Sequence, residues 1–502
     1  MLEKFYITTP IYYVNDVPHI GHAYTTIAAD VLTKWNKLHN KKVFFLTGTD
    51  EHGSKIYEVA KKRNLEPKKH CDEMVKKFKL TWLNLNIEYN YFIRTTDENH
   101  IETVKGFLQE LFNKNEIYKS KYKGLYCIQC EKFLTETELV NGKCPDHNIE
   151  PEIKSEENYF FKLSNYREKI IEILKNNSHP NHIEILPEER KNEILGKLNI
   201  GLDDISISRI KLPWGIPLTF DSNQTTYVWI DALLNYYTAS KIDNFNYWPP
   251  DLHLMAKDIL WFHAVIWPAM LMAMNLPLPK KLYAHGFFTV NGQKMSKTIG
   301  NVIQPEELIK EYGCDAVRYL LLSLFPFGTD GDINLELLKE KYNSNLANNL
   351  GNLISRTLTM IWKYSDGVIP QKNTTYNASL KNKLLEELKN VNKYFEGLEF
   401  SKIIDTLQKQ FNLINNYINE TSPWNLVKEK KTDQLNSVLY QLSELLWVIS
   451  HYIYPFLPQT GQELFNLLGE TKKITDTNFF INYEIPDLTG NRINKKILFP
   501  RK

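Results

Sequence analysis

The 502-residue chain is poor in cysteine, nearly free of net charge and without a long apolar run. Its five cysteines, at 71, 127, 130, 144 and 314, form an odd and sparse set. That excludes a disulfide-stapled scaffold, argues against an oxidising compartment, and points to reduced thiols, a metal, or both. Lys+Arg of 61 against Asp+Glu of 59 leaves a charge of +2. Bulk charge therefore announces no polyanion partner, and any nucleic-acid surface has to be a local patch. Met1-Leu2-Glu3-Lys4 supplies neither a basic n-region nor an apolar h-region, which argues against a secretory signal. The most apolar stretch, 259–274, is interrupted by His263 and Pro268. It falls short of the roughly 18 residues that span a bilayer and is expected to be a buried helix. The chain carries no internal repeat and no low-complexity tract. What it does carry is 43% hydrophobic and 24% charged residues, enough for a large core. Length suggests about three domains. The expectation is an intracellular, cytoplasmic protein with no membrane association.

Residues 5–11 (FYITTPI) read as a buried strand, 19–38 as a helix, and 43–46 as a second strand closed by Gly48-Thr49-Asp50-Glu51-His52-Gly53. That spacing predicts a βαβ unit of a parallel sheet with its loops at the carboxyl edge. Helices are expected at 54–63, 67–86 and 97–114, the last behind a Thr95-x-x-Glu98 capping box. From 117 to 225 the texture changes to a charged, Asn-rich segment that looks like an insertion. Helix and strand alternation resumes at Tyr227, with an apolar strand at 282–290 before the hairpin dipeptide Asn291-Gly292. Beyond about 335 only amphipathic helical stretches remain, a bundle.

Two elements carry phosphate chemistry. Pro18-His19-Ile20-Gly21-His22 stands where the first strand hands over to the first helix. There the imidazoles can donate to a nucleotide triphosphate, and Gly21 lets it approach the backbone. Lys294-Met295-Ser296-Lys297-Thr298 follows the predicted hairpin turn and forms a cationic clamp. Either alone is ordinary; together, on the two halves of a split α/β domain, they are specific. A third cluster pairs Cys127-x2-Cys130 with Cys144-x2-His147, a ligand set for one tetrahedral zinc ion. With no position left for water, that zinc is structural.

The first two elements resemble the HIGH and KMSKS signatures of class I aminoacyl-tRNA synthetases, with Thr298 in place of the usual final serine. Within that class the chain resembles the methionyl-tRNA synthetase family over nearly its whole length. The resemblance is carried by Thr8-Thr9-Pro10-Ile11-Tyr12-Tyr13, by the Gly48–Gly53 stretch, by Tyr227-Val228-Trp229-Ile230-Asp231-Ala232, and by Lys257-Asp258-Ile259-Leu260-Trp261-Phe262-His263. It implies a doubly wound, Rossmann-type α/β catalytic domain split by a zinc-knuckle insertion and followed by an α-helical anticodon-binding bundle. The implied boundaries are 1–116 and 226–325 for the catalytic halves, 117–225 for the insertion with its knuckle at about 125–149, 326–345 for a linking stem-contact segment, and 346–502 for the bundle. Methionine would contact Ile11, Tyr13, Trp229, Ala232, Leu233, Tyr236, His263 and Trp267, with Asp50 on its amino group. Each of those aromatics, taken alone, is more often an ordinary core residue. Asn352, Arg356 and Trp424 would read the anticodon, the plain alternative being a helix cap, a surface arginine and a core tryptophan.

The implied activity is ATP- and Mg²⁺-dependent activation of L-methionine and its transfer to tRNA(Met). Alternatives are another class I specificity, a nucleotidyl-transferring enzyme that does not use tRNA, and a catalytically silent tRNA-binding paralogue. The insertion looks too short for the editing domain of the isoleucine, valine and leucine enzymes. No cysteine precedes Cys71 to hold the pocket zinc of the cysteine enzyme. The extra C-terminal domain of some members is not expected, which predicts a monomer.

Overall fold

The computed structural model describes residues 2–128, 132–134, 139–145, 148–210, 212–242, 245–290, 292–295 and 300–502. Its central sheet has six strands, all parallel: β1 (Lys4–Tyr13), β2 (Lys42–Asp50), β3 (Tyr91–Arg94), β4 (Glu184–Leu186), β5 (Leu252–Ala256) and β6 (Lys281–His285). They lie in the order β3-β2-β1-β5-β6-β4. Strand succession reverses between β1 and β5, so the switch point where such sheets bind ligands falls at the carboxyl end of β1. The register of β1 against β2 shifts between Thr8 and Ile11, an extra residue at Thr9-Pro10. Proline has no N–H to give the ladder, so the irregularity sits where the sequence cannot pair, and it re-aims the side chains beyond it.

Helices cover both faces of the sheet. Those used below are α1 (Ile20–Leu38), α2 (Glu98–Asn113), α3 (Val228–Leu233), α4 (Cys314–Ser323), α5 (Asn352–Tyr364), α6 (Phe400–Thr421) and α7 (Thr432–Ile453). One apolar core runs from α1 and one face of the sheet straight into the C-terminal helices, ending at Phe499. A second core fills the other face. The helical region after 335 is as the amphipathic pattern predicts, with a further helix at Pro458–Leu467. No helix among the described residues is long and apolar enough to cross a membrane.

Several local expectations are corrected. Strands β3 and β4 are three or four residues long, too short for a period to show in sequence. The second of them lies inside the 117–225 stretch yet pairs with β6, so that stretch returns to the main sheet before it ends. Four of its other strands form an antiparallel sheet, and Ser208–Ile210 pairs with Gln224–Thr226 in a separate two-stranded one. The Thr95–Glu98 capping box does not form: the residue before α2 is Asp97, and the Thr95 hydroxyl accepts the Glu51 N–H instead. A capping box forms at α1, where His19 and His22 make both bonds. The expected strand at 282–290 is broken into β6 and Phe288–Val290. The break is at Gly286, where a Cβ would stand 2.1 Å from the Thr329 carbonyl oxygen. The apolar run at 259–274 is no plain α-helix. Residues Phe262–Ile266 form a π-helical turn ahead of the helix Trp267–Ala273, with the Trp267 N–H reaching the Phe262 carbonyl. Pro268, with no N–H and a ring that crowds the preceding turn, explains the widening.

The helical region is tied to the sheet by α4. Arg318 and Asp30 are both fully buried and 2.7 Å apart, and Lys34 closes on the same carboxylate at 2.8 Å. Burial raises the Asp30 pKa, but Lys34 and Arg318 outweigh it and hold the carboxyl below its usual range. The Arg318 guanidinium also donates to the carbonyls of Leu85, Pro455 and Phe456. One side chain thus joins α1, the loop before β3 and the turn after α7.

Candidate active site

A cavity of about 490 Å³ opens at the carboxyl ends of β1, β2, β5 and β6. Ile11, Tyr13, His19, Gly21, His22, Asp50, Trp229, Ala232, Leu233, Tyr236 and His263 all line it, as does Met295 of the KMSKT loop. The two halves of the chain therefore converge where the sequence places them. Trp267 does not line the cavity. It is fully buried one layer back, its ring 6.0 Å from that of Tyr236 and 6.3 Å from Trp248. Lys294 is placed by its backbone, paired with Thr289 across a hairpin of Phe288–Val290 and Gln293–Lys294. Lys297 lies outside the described residues.

The two signature histidines stack at 3.8 Å. The Gly21 N–H donates to His19 Nδ1 at 3.1 Å, and the His19 N–H donates to His22 Nδ1 at 3.2 Å. Burial pulls the His19 pKa down to about 4. Burial, and then the neighbouring His19, push that of His22 well below 6.5. A neutral imidazole whose Nδ1 accepts must carry its proton on Nε2. Both rings are therefore uncharged Nε2–H donors beside a helix N-terminus, a place that favours anions. A Cβ on Gly21 would stand 2.9 Å from the His19 ring, so glycine is what lets that ring fold back over the helix start.

The apolar end is held as tightly. His263 donates from Nδ1 to the Ile259 carbonyl at 3.0 Å, so its Nε2 accepts the Tyr236 hydroxyl at 2.8 Å. Burial lowers its pKa to about 4 as well. Trp229 stacks on Phe262 at 4.2 Å. Behind this wall Asp231 of α3 accepts from His52 Nδ1 at 2.7 Å and His100 Nε2 at 2.8 Å. Burial raises the Asp231 pKa, but His52 and His100 overcome it and keep the carboxyl below its usual range. This clasp fixes the helix bearing Trp229 and Ala232 to the loop that follows Asp50.

Sequence reasoning missed Lys55, Asn235, Asp258, Phe262 and His285, all on the cavity wall. Asp258 and Phe262 sit in a quoted stretch, and His285 ends β6 at the sheet's carboxyl edge, the one signal that could have found it. Lys55 and Asn235 are brought in by tertiary packing alone.

Of the expected metal ligands, Cys127 and Cys144 are buried together with Leu134 in a small cluster of their own, neither in a disulfide. Cys130 and His147 lie outside the described residues. Among the described residues no group of three or more metal-binding side chains occurs. In the bundle Asn352 is exposed and Arg356 half-buried, one turn apart on α5. Trp424 is 38% exposed, which excludes the core-tryptophan alternative.

Sheet, switch point and the two signature elements at its carboxyl edge define a class I aminoacyl-tRNA synthetase. A family model described as tRNA synthetases class I (M) matches residues 5–150 and 137–358, and one described as the anticodon-binding domain of tRNA ligase matches 378–497. The chain belongs to the methionine–tRNA ligase family. A curated methionine–tRNA ligase of Caldanaerobacter subterraneus is 45% identical over 100% of this chain and 79% of its own. One of Thermotoga maritima is 43% identical over 94% of this chain and 76% of its own. The solved structure of Mycobacterium tuberculosis methionyl-tRNA synthetase in complex with methionyl-adenylate superposes with a TM-score of 0.93 at 34% identity, covering 100% of both chains. The free state of the same enzyme gives 0.85 at 32%, covering 100% of this chain and 99% of that one.

Proposed function

We propose that this chain activates methionine with ATP and transfers it to the 3′ end of tRNA(Met). What carries the reading is a single cavity in which an aromatic, uncharged pocket, a carboxylate and two Nε2–H donors at a helix start face one another. A thioether is apolar and polarisable and suits rings it can touch edge-on. Ile11, Tyr13, Trp229, Ala232, Leu233, Tyr236 and His263 would hold it, with Trp267 backing Tyr236. Asp50 would hold the ammonium group.

The methionine carboxylate then attacks the α-phosphate of ATP-Mg²⁺. A bond forms from carboxylate oxygen to phosphorus, the bond to the bridging oxygen breaks, and diphosphate leaves with the electron pair. His19 and His22 donate hydrogen bonds to the phosphate oxygens, and Lys294 and Lys297 balance charge on the leaving group. No protein nucleophile is needed: orientation and fixed dipoles supply the acceleration. The terminal ribose hydroxyl of tRNA next attacks the adenylate carbonyl, and AMP leaves. Neutral imidazoles fit this scheme, since they stabilise charge without needing a proton transfer.

The remaining assignments belong to the same reading. Residues 1–116 and 226–325, joined by the strand Glu184–Leu186, form the split catalytic domain, the rest of 117–225 the insertion, 326–345 the linking segment and 346–502 the anticodon domain. Cys127, Cys130, Cys144 and His147 would hold one zinc ion, which when bound supplies folding energy to the knuckle. The two buried thiols sharing one small cluster fit that ligand set. Asn352, Arg356 and Trp424 would read the anticodon. On this reading the protein works as a monomer where ATP and tRNA meet, in the cytoplasm. ATP–diphosphate exchange across the twenty amino acids tests the reading. Exchange with methionine is expected; exchange with another amino acid, or none, would overturn it.

A further inference from the structure

We propose that a ladder of side-chain amides in the helical region aims Arg356 at its base, making Asn349, Gln408 and Asn415 positioning residues for anticodon reading. This rests on the reading above that Arg356 contacts the anticodon. The Arg356 guanidinium donates to Asn415 Oδ1 at 3.3 Å and to Asn419 Oδ1 at 2.8 Å. Asn415 Nδ2 donates to Asn349 Oδ1 at 3.1 Å, and Asn349 Nδ2 to Gln408 Oε1 at 2.8 Å. Gln408 Nε2 donates to the Tyr319 hydroxyl oxygen at 2.8 Å, which Asn345 Nδ2 also reaches at 3.1 Å.

Shape alone does not distinguish the oxygen and nitrogen of an amide. Here the chemistry does. A guanidinium has donors only, so Asn415 must turn its oxygen to Arg356 and its nitrogen to Asn349, and each later amide follows in the same sense. The dipoles therefore line up head to tail, an arrangement in which every bond polarises the next. Each rung has a position that fits: Gln408, Asn415 and Asn419 are 7 and 11 residues apart along one face of α6.

Two features mark this as more than helix-to-helix adhesion. First, every partner is neutral. A carboxylate would hold an arginine more strongly, but it would cancel the charge and repel RNA phosphates. Amides hold the guanidinium in place and leave its full charge for the ligand. The two bonds engage two of its five N–H donors, and the planar fork keeps the rest for a base edge. Second, the ladder ends on a rigid frame. Tyr319 is buried in α4 next to Arg318, which is bonded to Asp30 of α1. Preorganising a recognition side chain in this way lowers the ordering cost of binding.

The test compares Gln408→Met, Gln408→Glu and Arg356→Ala in full-length protein. Aminoacylation kcat/KM is measured with tRNA bearing the CAU anticodon and with tRNA changed at its first anticodon base. Methionine-dependent ATP–diphosphate exchange and Tm are measured on the same preparations. Gln408→Met is expected to lower kcat/KM for the CAU tRNA about tenfold, the low end of one base contact, and to narrow its advantage over the altered tRNA. Exchange should be unchanged. Gln408→Glu, which still accepts from Asn349 and can take the Tyr319 O–H, should recover most of the loss. If Arg356→Ala leaves aminoacylation intact, the anticodon reading itself fails. If Arg356→Ala is impaired but Gln408→Met keeps both efficiency and discrimination, the ladder proposal falls and the reading survives. Equal losses in exchange and aminoacylation with a lowered Tm would make the ladder purely structural, which also overturns it. Should Gln408→Met melt below assay temperature, Gln408→Asn, with its arm shortened by a methylene, is put through the same comparison and read the same way.

Discussion

Four histidines of the cavity wall, His19, His22, His263 and His285, have pKa values lowered by burial, and none is a cation at neutral pH. On the proposed reading the protein's own positive charge for the diphosphate then comes from lysines, which would give Lys297 a distinct job. Lys297→Ala should leave methionine affinity nearly unchanged and slow adenylate formation by about two decades, because the cation faces charge that grows only in the transition state. Rapid-quench measurement of adenylate formation checks it; a loss confined to methionine affinity would reassign the residue. Asp231 works differently, through the walls it joins. Asp231→Asn turns an N–H towards one of two histidine N–H donors and loosens α3 against the loop that follows Asp50. Methionine KM should rise about tenfold with a smaller change in kcat, since the lost geometry serves binding of the amino acid. A fall in kcat at unchanged KM would count against this.

Among elements, legibility in the sequence followed the length and strength of the local pattern. β1, α1 and β2 are readable because apolar period and the flanking signatures agree. β3 and β4 are not, since three or four residues carry no period and their pairing is decided by the sheet. The capping box at Thr95 failed because its hydroxyl has a better partner, the Glu51 N–H, that no local rule could show. The resemblance puts Trp267 against methionine, whereas in the fold its buried ring lies behind Tyr236. The proposed zinc knuckle makes a prediction of its own. Cys130→Ser is expected to lose about one equivalent of zinc per chain and to loosen the insertion, while methionine activation weakens without vanishing. Elemental analysis of protein purified without chelators decides the first point, limited proteolysis the second. Finding no zinc in the parent protein would end the assignment.

For the molecule as a whole, anticodon and chemistry should come apart under mutation. Trp424 is exposed at the start of a short helix far in sequence from every cavity residue. Trp424→Ala should lower tRNA aminoacylation by about one to two decades in kcat/KM, the worth of one stacked base. Methionine-dependent exchange and Tm should stay near those of the parent; equal losses in both assays would remove Trp424 from the recognition surface. Acid stability is a second global property. His19, His263, His285 and His451 each have a pKa drawn by burial from 6.5 down to about 4. Once unfolded they titrate at the ordinary value, so between those limits unfolding takes up protons. Their contribution is complete above pH 6.5 and is lost as pH falls towards 4, each proton weakening the fold by about 1.4 kcal/mol per pH unit. Urea unfolding across that range measures the slope, and a flat profile would show that these imidazoles are charged in the folded chain.

The Arg318 knot also bears on modularity. Its guanidinium is satisfied by α1, by the loop before β3 and by two carbonyls at 455 and 456. Cutting the gene between the nucleotide-binding half and the bundle would strand a buried cation with part of its shell gone, and would lay bare the apolar core that both halves share. The two functions are expected to uncouple by point mutation, yet the polypeptide cannot be divided along the same line. A minimal catalytic fragment would need a substitute for Arg318 and a new polar face on α4 before it could stand alone.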